Sequence, residues 1–117
     1  MGKVVWYDLT VENATEVKTF YEKVVGWTSK DCNMGNYNDF EMQNNGETIT
    51  GICHQQGVNK NIPSQWLLYV EVENLAESIA TAEEMGGEII DGPRKMNGKD
   101  FCVLKDPVGA IIGLIEK

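Results

Sequence analysis

A single histidine, His54, stands in the 117 residues, and the three cysteines, Cys32, Cys53 and Cys102, are far apart with no Cys-x-x-Cys pair. That spacing excludes a zinc knuckle and a thioredoxin-type dithiol. Cys53 and Cys102 fall in strand-like runs, where a thiol behaves as a small hydrophobe. Basic residues are also scarce: ten Lys and Arg against eighteen Asp and Glu leave a net charge of −8. Non-specific nucleic-acid binding needs cations to replace counterions on phosphates, so no nucleic-acid partner is expected. The acidic balance suits solubility or a cationic ligand. No apolar run approaches the ~20 residues of a membrane span; the longest, Ala110 to Ile115, contains Gly113. The run from Met1 to Trp6 lacks the apolar core of a signal peptide, and Trp6 spoils a myristoylation pattern. The expected location is the cytoplasm, with no membrane partner. No glycine-rich loop precedes a helix. Asp106-Pro107-x-Gly109 reads as a turn, since Asp and Pro preset the bend and Gly tolerates a positive φ.

The length leaves room for one domain with one modest core. With 42% hydrophobic and 24% charged residues the composition is that of an ordinary globular chain. An internal repeat organises it. Val11-Glu12-Asn13 recurs as Val72-Glu73-Asn74, an offset of 72 − 11 = 61. At that offset Glu16 falls on Glu77, Glu22 on Glu83, Gly26 on Gly87, and the alternating Tyr7, Leu9, Val11 on Leu68, Val70, Val72.

Each half then reads the same way. Residues 3–11 alternate at period two, as a strand does. Asn13 caps a helix with Glu16 three residues on, Val17, Phe20, Tyr21 and Val24 form its apolar stripe, and Gly26 stops it. In the second half Asn74 and Glu77 cap, Leu75, Ile79, Ala82 and Met85 form the stripe, and Gly86-Gly87 ends the helix. Three strands follow each helix, at about 27–31, 37–43 and 47–55, then 87–91, 99–105 and 110–116, with Gly, Asn and Pro between them. The sequence therefore predicts a single α+β domain of two βαβββ units, 1–56 and 65–117, joined by a linker at 57–64. One helix covers one sheet face of each unit, and the uncovered faces and edges need partners. Pairing the units makes an eight-stranded, partly open barrel around a cleft, with the helices outside. Strand parity sends Tyr7, Leu9, Leu68 and Val70 to the helices. It leaves Trp6, Asp8, Tyr69 and Glu71 as the candidate ligand contacts. His54 has the opposite parity to Gly51 and is expected toward the helix side or solvent.

These residues resemble the vicinal oxygen chelate superfamily of glyoxalase I, bleomycin-resistance proteins and extradiol dioxygenases. The likeness rests on Trp6-Tyr7-Asp8-Leu9, on Phe20-Tyr21 through Gly26-Trp27, on Trp66 to Val72, and on Asp106-Pro107-Val108-Gly109-Ala110. The nearest subgroup is that of small glyoxalase-like domains. The resemblance implies the βαβββ fold and, in metal-dependent members, one divalent cation held by His and Glu from the first and fourth strand of each half. The matching positions here are Trp6, Gly51, Leu67 and Gly113, none of which offers a lone pair. The expectation is a domain without metal or other cofactor, binding a small aromatic or cationic molecule. The alternative is an enzyme of lyase, isomerase or dioxygenase type that uses cleft carboxylates such as Asp8 and Glu71, or a non-standard metal site. The resemblance also implies a homodimer.

Overall fold

The computed structural model describes residues 2–117; Met1, the first residue of the N-terminal run, lies outside them. Both helices begin at the asparagines the repeat aligns. The Asn13 side chain accepts the Glu16 backbone N–H at 3.2 Å and donates to the Glu16 carboxylate at 2.9 Å. Asn74 accepts the Glu77 backbone N–H at 3.0 Å. Each bond satisfies a helix-end donor that otherwise has no partner. The helices are α1 (Ala14–Val25) and α2 (Leu75–Glu84), and Gly26, at φ 86°, takes the left-handed turn that closes α1.

The strands are β1 (Val4–Val11), β2 (Thr28–Asn33), β3 (Asn38–Asn44), β4 (Glu47–His54), β5 (Trp66–Val72), β6 (Glu88–Met96), β7 (Lys99–Lys105) and β8 (Ile111–Glu116). They make an eight-stranded mixed sheet in the order β2-β3-β4-β1-β5-β8-β7-β6, and the sheet is not closed. A short 3-10 turn at Gly57–Asn59 lies in the expected linker. Among the described residues no helix is long and apolar enough to cross a membrane.

Two compact units divide the chain, Tyr7–Trp66 and residues 2–6 with Leu67–Lys117. In the Tyr7–Trp66 unit β1 runs parallel to β4, with Asp8 beside Gly51 and Thr10 beside Cys53. Leu9, Ala14, Phe40, Met42 and Ile52 form its core, with Val17, Tyr21 and Trp27 packed on it. Leu9 thus faces α1 and Asp8 lies on the other side of the strand. In the second unit β5 runs parallel to β8, with Tyr69 beside Gly113. Leu75, Cys102 and Leu104 form the core there, against Val72, Ile79, Ala82, Ile112 and Leu114. Glu71 exchanges backbone hydrogen bonds with Gly2 and Lys3.

Three details depart from the sequence reading. Phe20, Val24 and Met85 are 55%, 65% and 71% exposed and do not join the cores. Val17 and Tyr21 share one stripe of α1 while Phe20 and Val24 share its neighbour, and only the first stripe rests on the sheet. The strand expected to end at residue 91 continues to Met96, because Gly92-Pro93 is absorbed as a bulge within the register shift between Asp91 and Arg94. Leu68 and Tyr7 have the helix-side parity but are only partly covered, at 37% and 52% exposed.

Candidate functional site

The helix-opposite face of the Tyr7–Trp66 unit collects carboxylates. Strand pairing sets Lys30, Glu41, Gly51 and Asp8 in one row across β2, β3, β4 and β1. Beside it run Cys32 and Asp39, and Cys53 and Thr10. Asp8 and Asp39 are 8% and 5% exposed. Glu41 accepts the Thr48 hydroxyl at 2.8 Å and the Cys32 thiol at 3.3 Å. Those two bonds, Thr48 first, hold its carboxyl below the usual range. Burial pushes the Cys32 thiol up, and the bond to Glu41 adds to it. The Cys53 thiol is pushed up strongly, first by burial and then by the charges of Asp39 and Asp8. Neither thiol is set up as a nucleophile, because the thiolate is the reactive form.

Asp39 also takes the His54 backbone N–H at 2.8 Å, with the imidazole Nδ1 3.4 Å away. The ring of His54 meets Tyr37 edge-on and leans on Phe40, a core residue on the α1 side. His54 therefore has the expected parity but is a mostly buried side chain, 14% exposed, packed between aromatic rings and the Asp39 carboxylate.

The second unit presents a different face. Leu67, Tyr69, Phe101, Val103 and Ile115 are buried there. The Tyr69 ring stands where a Cβ on Gly113 would be and meets Phe101 at 6.1 Å between centroids. Arg94, the sole arginine of the sequence, lies over the Phe101 ring at 4.6 Å and pairs with Asp91 at 2.8 Å. Glu71 is half-buried on β5, and Trp6 is half-buried on β1.

Of the four residues singled out by parity, Tyr69 and Glu71 thus share the helix-opposite face of one unit and Asp8 lies on that of the other. Sequence reasoning missed Asp39, Glu41 and Arg94. The first two were visible as the alternation Asp39-Phe40-Glu41-Met42, acidic on one face and apolar on the other. Arg94 had no such signal, since its place depends on the bulge.

Do these residues fit the divalent cation of metal-dependent relatives? They do not. Trp6 and Leu67 carry no metal-binding atom, Gly51 carries no side chain, and the place of a side chain at 113 is filled by Tyr69. Among the described residues no group of three or more His, Cys, Asp or Glu side chains is placed to hold a metal ion.

The Tyr7–Trp66 unit also has an aromatic groove of about 360 Å³, lined by Tyr7, Tyr21, Trp27, Ile49, Thr50 and Trp66. Tyr21 comes from α1, and Tyr7 from the helix-side set of β1, so the groove and the carboxylates occupy different faces.

A family model described as a glyoxalase-like domain matches residues 5–115. None of the curated proteins matches the sequence. Solved structures with a similar fold include methylmalonyl-CoA epimerase from Mycobacterium tuberculosis, at 12% identity and TM-score 0.59 over 98% of this chain and 87% of that one. Another is a glyoxalase/bleomycin resistance protein/dioxygenase superfamily member from Vibrio splendidus 12B01, at 10% identity and TM-score 0.59 over the whole of both chains (100% and 100%). A third is a hypothetical protein from Bacillus halodurans C-125, at 14% identity and TM-score 0.60 over 99% and 94%. At these identities the likeness is one of fold.

Proposed function

The chain belongs to the glyoxalase-like domain family, and on that premise we propose that it is a metal-independent binding protein for a small aromatic or cationic molecule. One observation carries the metal-independent part. The ring of Tyr69 takes the space from which a ligand at position 113 would project, so the family's donor there is replaced by packing. The cationic part draws on Asp8, Asp39 and Glu41, three carboxylates on one strand face with Lys30 as the base in their row. Three carboxylates gathered on one face attract a ligand of the opposite charge. Trp6, Tyr69 and Glu71 are proposed as contacts on the other unit's own face, Tyr69 as a fixed wall. The working unit is proposed to be a homodimer in the cytoplasm.

A second reading is an enzyme of lyase or isomerase type with Asp8 as an acid or base. Its support is the burial of Asp8, a setting in which carboxylates take part in proton transfer.

The test uses protein purified without an affinity tag and treated with a chelator. Its thermal midpoint is followed against cationic, neutral and anionic aromatic compounds, because a ligand that binds only the folded state raises it. The expected result is stabilisation by cationic compounds, unchanged by the chelator and weakened in Asp8→Asn. Stoichiometric metal that is needed for binding, or stabilisation by anionic compounds alone, would overturn the proposal. Turnover of a bound compound that depends on Asp8 would establish the second reading instead.

A further inference from the structure

The aromatic groove is built from rings at right angles. Tyr21 and Trp27 are close to parallel, at 28° and 5.8 Å between centroids. Trp66 stands nearly perpendicular to both, at 81° and 5.3 Å from Tyr21 and at 78° and 6.0 Å from Trp27. The Trp66 indole N–H donates to the Tyr21 hydroxyl at 3.0 Å, which pins a residue of β5 to one of α1. Tyr7 and Trp66 nevertheless remain 52% and 38% exposed. The rings of the groove thus hold one another in place, and part of their surface faces water.

We infer that this groove binds a quaternary ammonium group or a similarly diffuse organic cation. Size argues for a small molecule: about 360 Å³ lies within the roughly 300–1,000 Å³ of ligand pockets. Charge argues for a cation. Ring faces carry negative quadrupole density, tryptophan most of all, and the chain as a whole carries −8, which draws cations toward it. The lining argues for the kind of cation. Its members are four aromatic residues, Ile49 and Thr50, and the Thr50 hydroxyl already donates to the Tyr7 carbonyl at 2.6 Å. Among the described residues no carboxylate lines the groove to compensate a primary ammonium for lost water. A methylated ammonium is weakly hydrated and needs no hydrogen-bond partner, so ring faces alone can hold it. The inference is independent of the Asp8 face, which is on the other side of the unit.

The experiment titrates the full chain with choline and with 3,3-dimethylbutanol, its neutral isostere. Tryptophan fluorescence and the proton shifts of the probe's methyl groups are the readouts, and benzylammonium is compared with benzyltrimethylammonium in the same way. The expected result is binding of choline tighter than its isostere by roughly fivefold, methyl protons moved upfield by the ring faces, and benzyltrimethylammonium preferred over benzylammonium. Tyr7→Leu, at a half-exposed site, and Trp66→Leu should each abolish the preference. Equal binding of choline and its isostere overturns the inference. So does a preference that survives both groove substitutions. If the probes bind only to a monomeric variant, a second copy of the chain occupies the groove, and the inference fails in favour of a subunit contact.

Discussion

Tyr69 lies with its ring in the volume that a side chain on Gly113 would enter, and the two residues are partners in the parallel pairing of β5 with β8. Gly113 does not have the positive φ that calls for glycine elsewhere in the chain, so space and not backbone conformation excludes a side chain here. The corresponding pair in the other unit is Asp8 and Gly51. Offsets of 61 and 62 relate the two pairs (69 − 8 and 113 − 51), so the repeat read in the sequence is a repeat of strand register.

Gly113→Ala should therefore destabilise the fold by roughly 1–3 kcal/mol through overpacking, and Tyr69→Ala by about 3–5 kcal/mol through the cavity it leaves. In the double variant the new methyl group enters the vacated space, so the two costs should fall short of their sum by at least about 0.5 kcal/mol. Urea denaturation of the three variants measures this. Strict additivity would mean that Gly113 and Tyr69 are not coupled.

The two sides of β1 should respond differently to substitution. Leu9, 6% exposed and in the α1-side core, should cost roughly 2–5 kcal/mol when truncated to alanine. Asp8→Asn keeps the shape of the side chain and should cost less than Leu9→Ala, while weakening the binding of cationic compounds to its own face of the sheet. Chemical denaturation together with ligand titration separates the two. If Asp8→Asn unfolds the chain and Leu9→Ala is silent, the assignment of faces is reversed.

Alkaline conditions should weaken the fold through its buried thiols. Burial, aided by the charge of Asp91, pushes Cys102 from the ordinary 9.0 up to about 11. The folded thiol then stays neutral where the unfolded one ionises. Its contribution is complete below the ordinary value of 9.0 and is lost as the pH rises toward about 11. Cys53 is shifted in the same direction. Denaturation midpoints should fall over that interval, and Cys102→Ala should make the fall shallower. A wild-type midpoint that rises there would contradict the sign.

Phe20, Val24 and Val25, on one helix, are each more than half exposed, and apolar groups gathered on a surface mark an interaction site. Sedimentation at micromolar concentration should show a dimer, and Phe20→Asp with Val24→Asp should shift it to monomer. A wild-type chain that stays monomeric throughout would refute the homodimer.

Much of the fold was legible because local chemistry determines it. Asn13 and Asn74 cap where they are found since their side chains reach the third residue of the following helix, an interaction contained in four consecutive positions. The alternation through Leu9 and Val72 identified the helix-facing sides for the same local reason. The end of β6 was misread because Gly92-Pro93, a pair that breaks most strands, is absorbed as a bulge against β7. At Gly92 an added Cβ would meet the Phe101 carbonyl oxygen at 2.8 Å, a contact no local pattern encodes. Phe20 was misassigned because two adjacent helical stripes are both apolar, and only the sheet decides which of them is covered.

By itself the sequence determined the repeat, the order of the elements, the faces that β1 and β5 turn to their helices, and the absence of donors at Trp6, Gly51, Leu67 and Gly113. These follow from periodicity and side-chain chemistry, which are properties of neighbouring residues. Tertiary structure alone decided that Tyr69 fills the space over Gly113, 44 positions away (113 − 69). It alone also joined Trp66 to Tyr21 across 45 positions to frame an aromatic groove. Such contacts depend on how strands and helices converge in space, and their separation along the chain leaves no periodic trace.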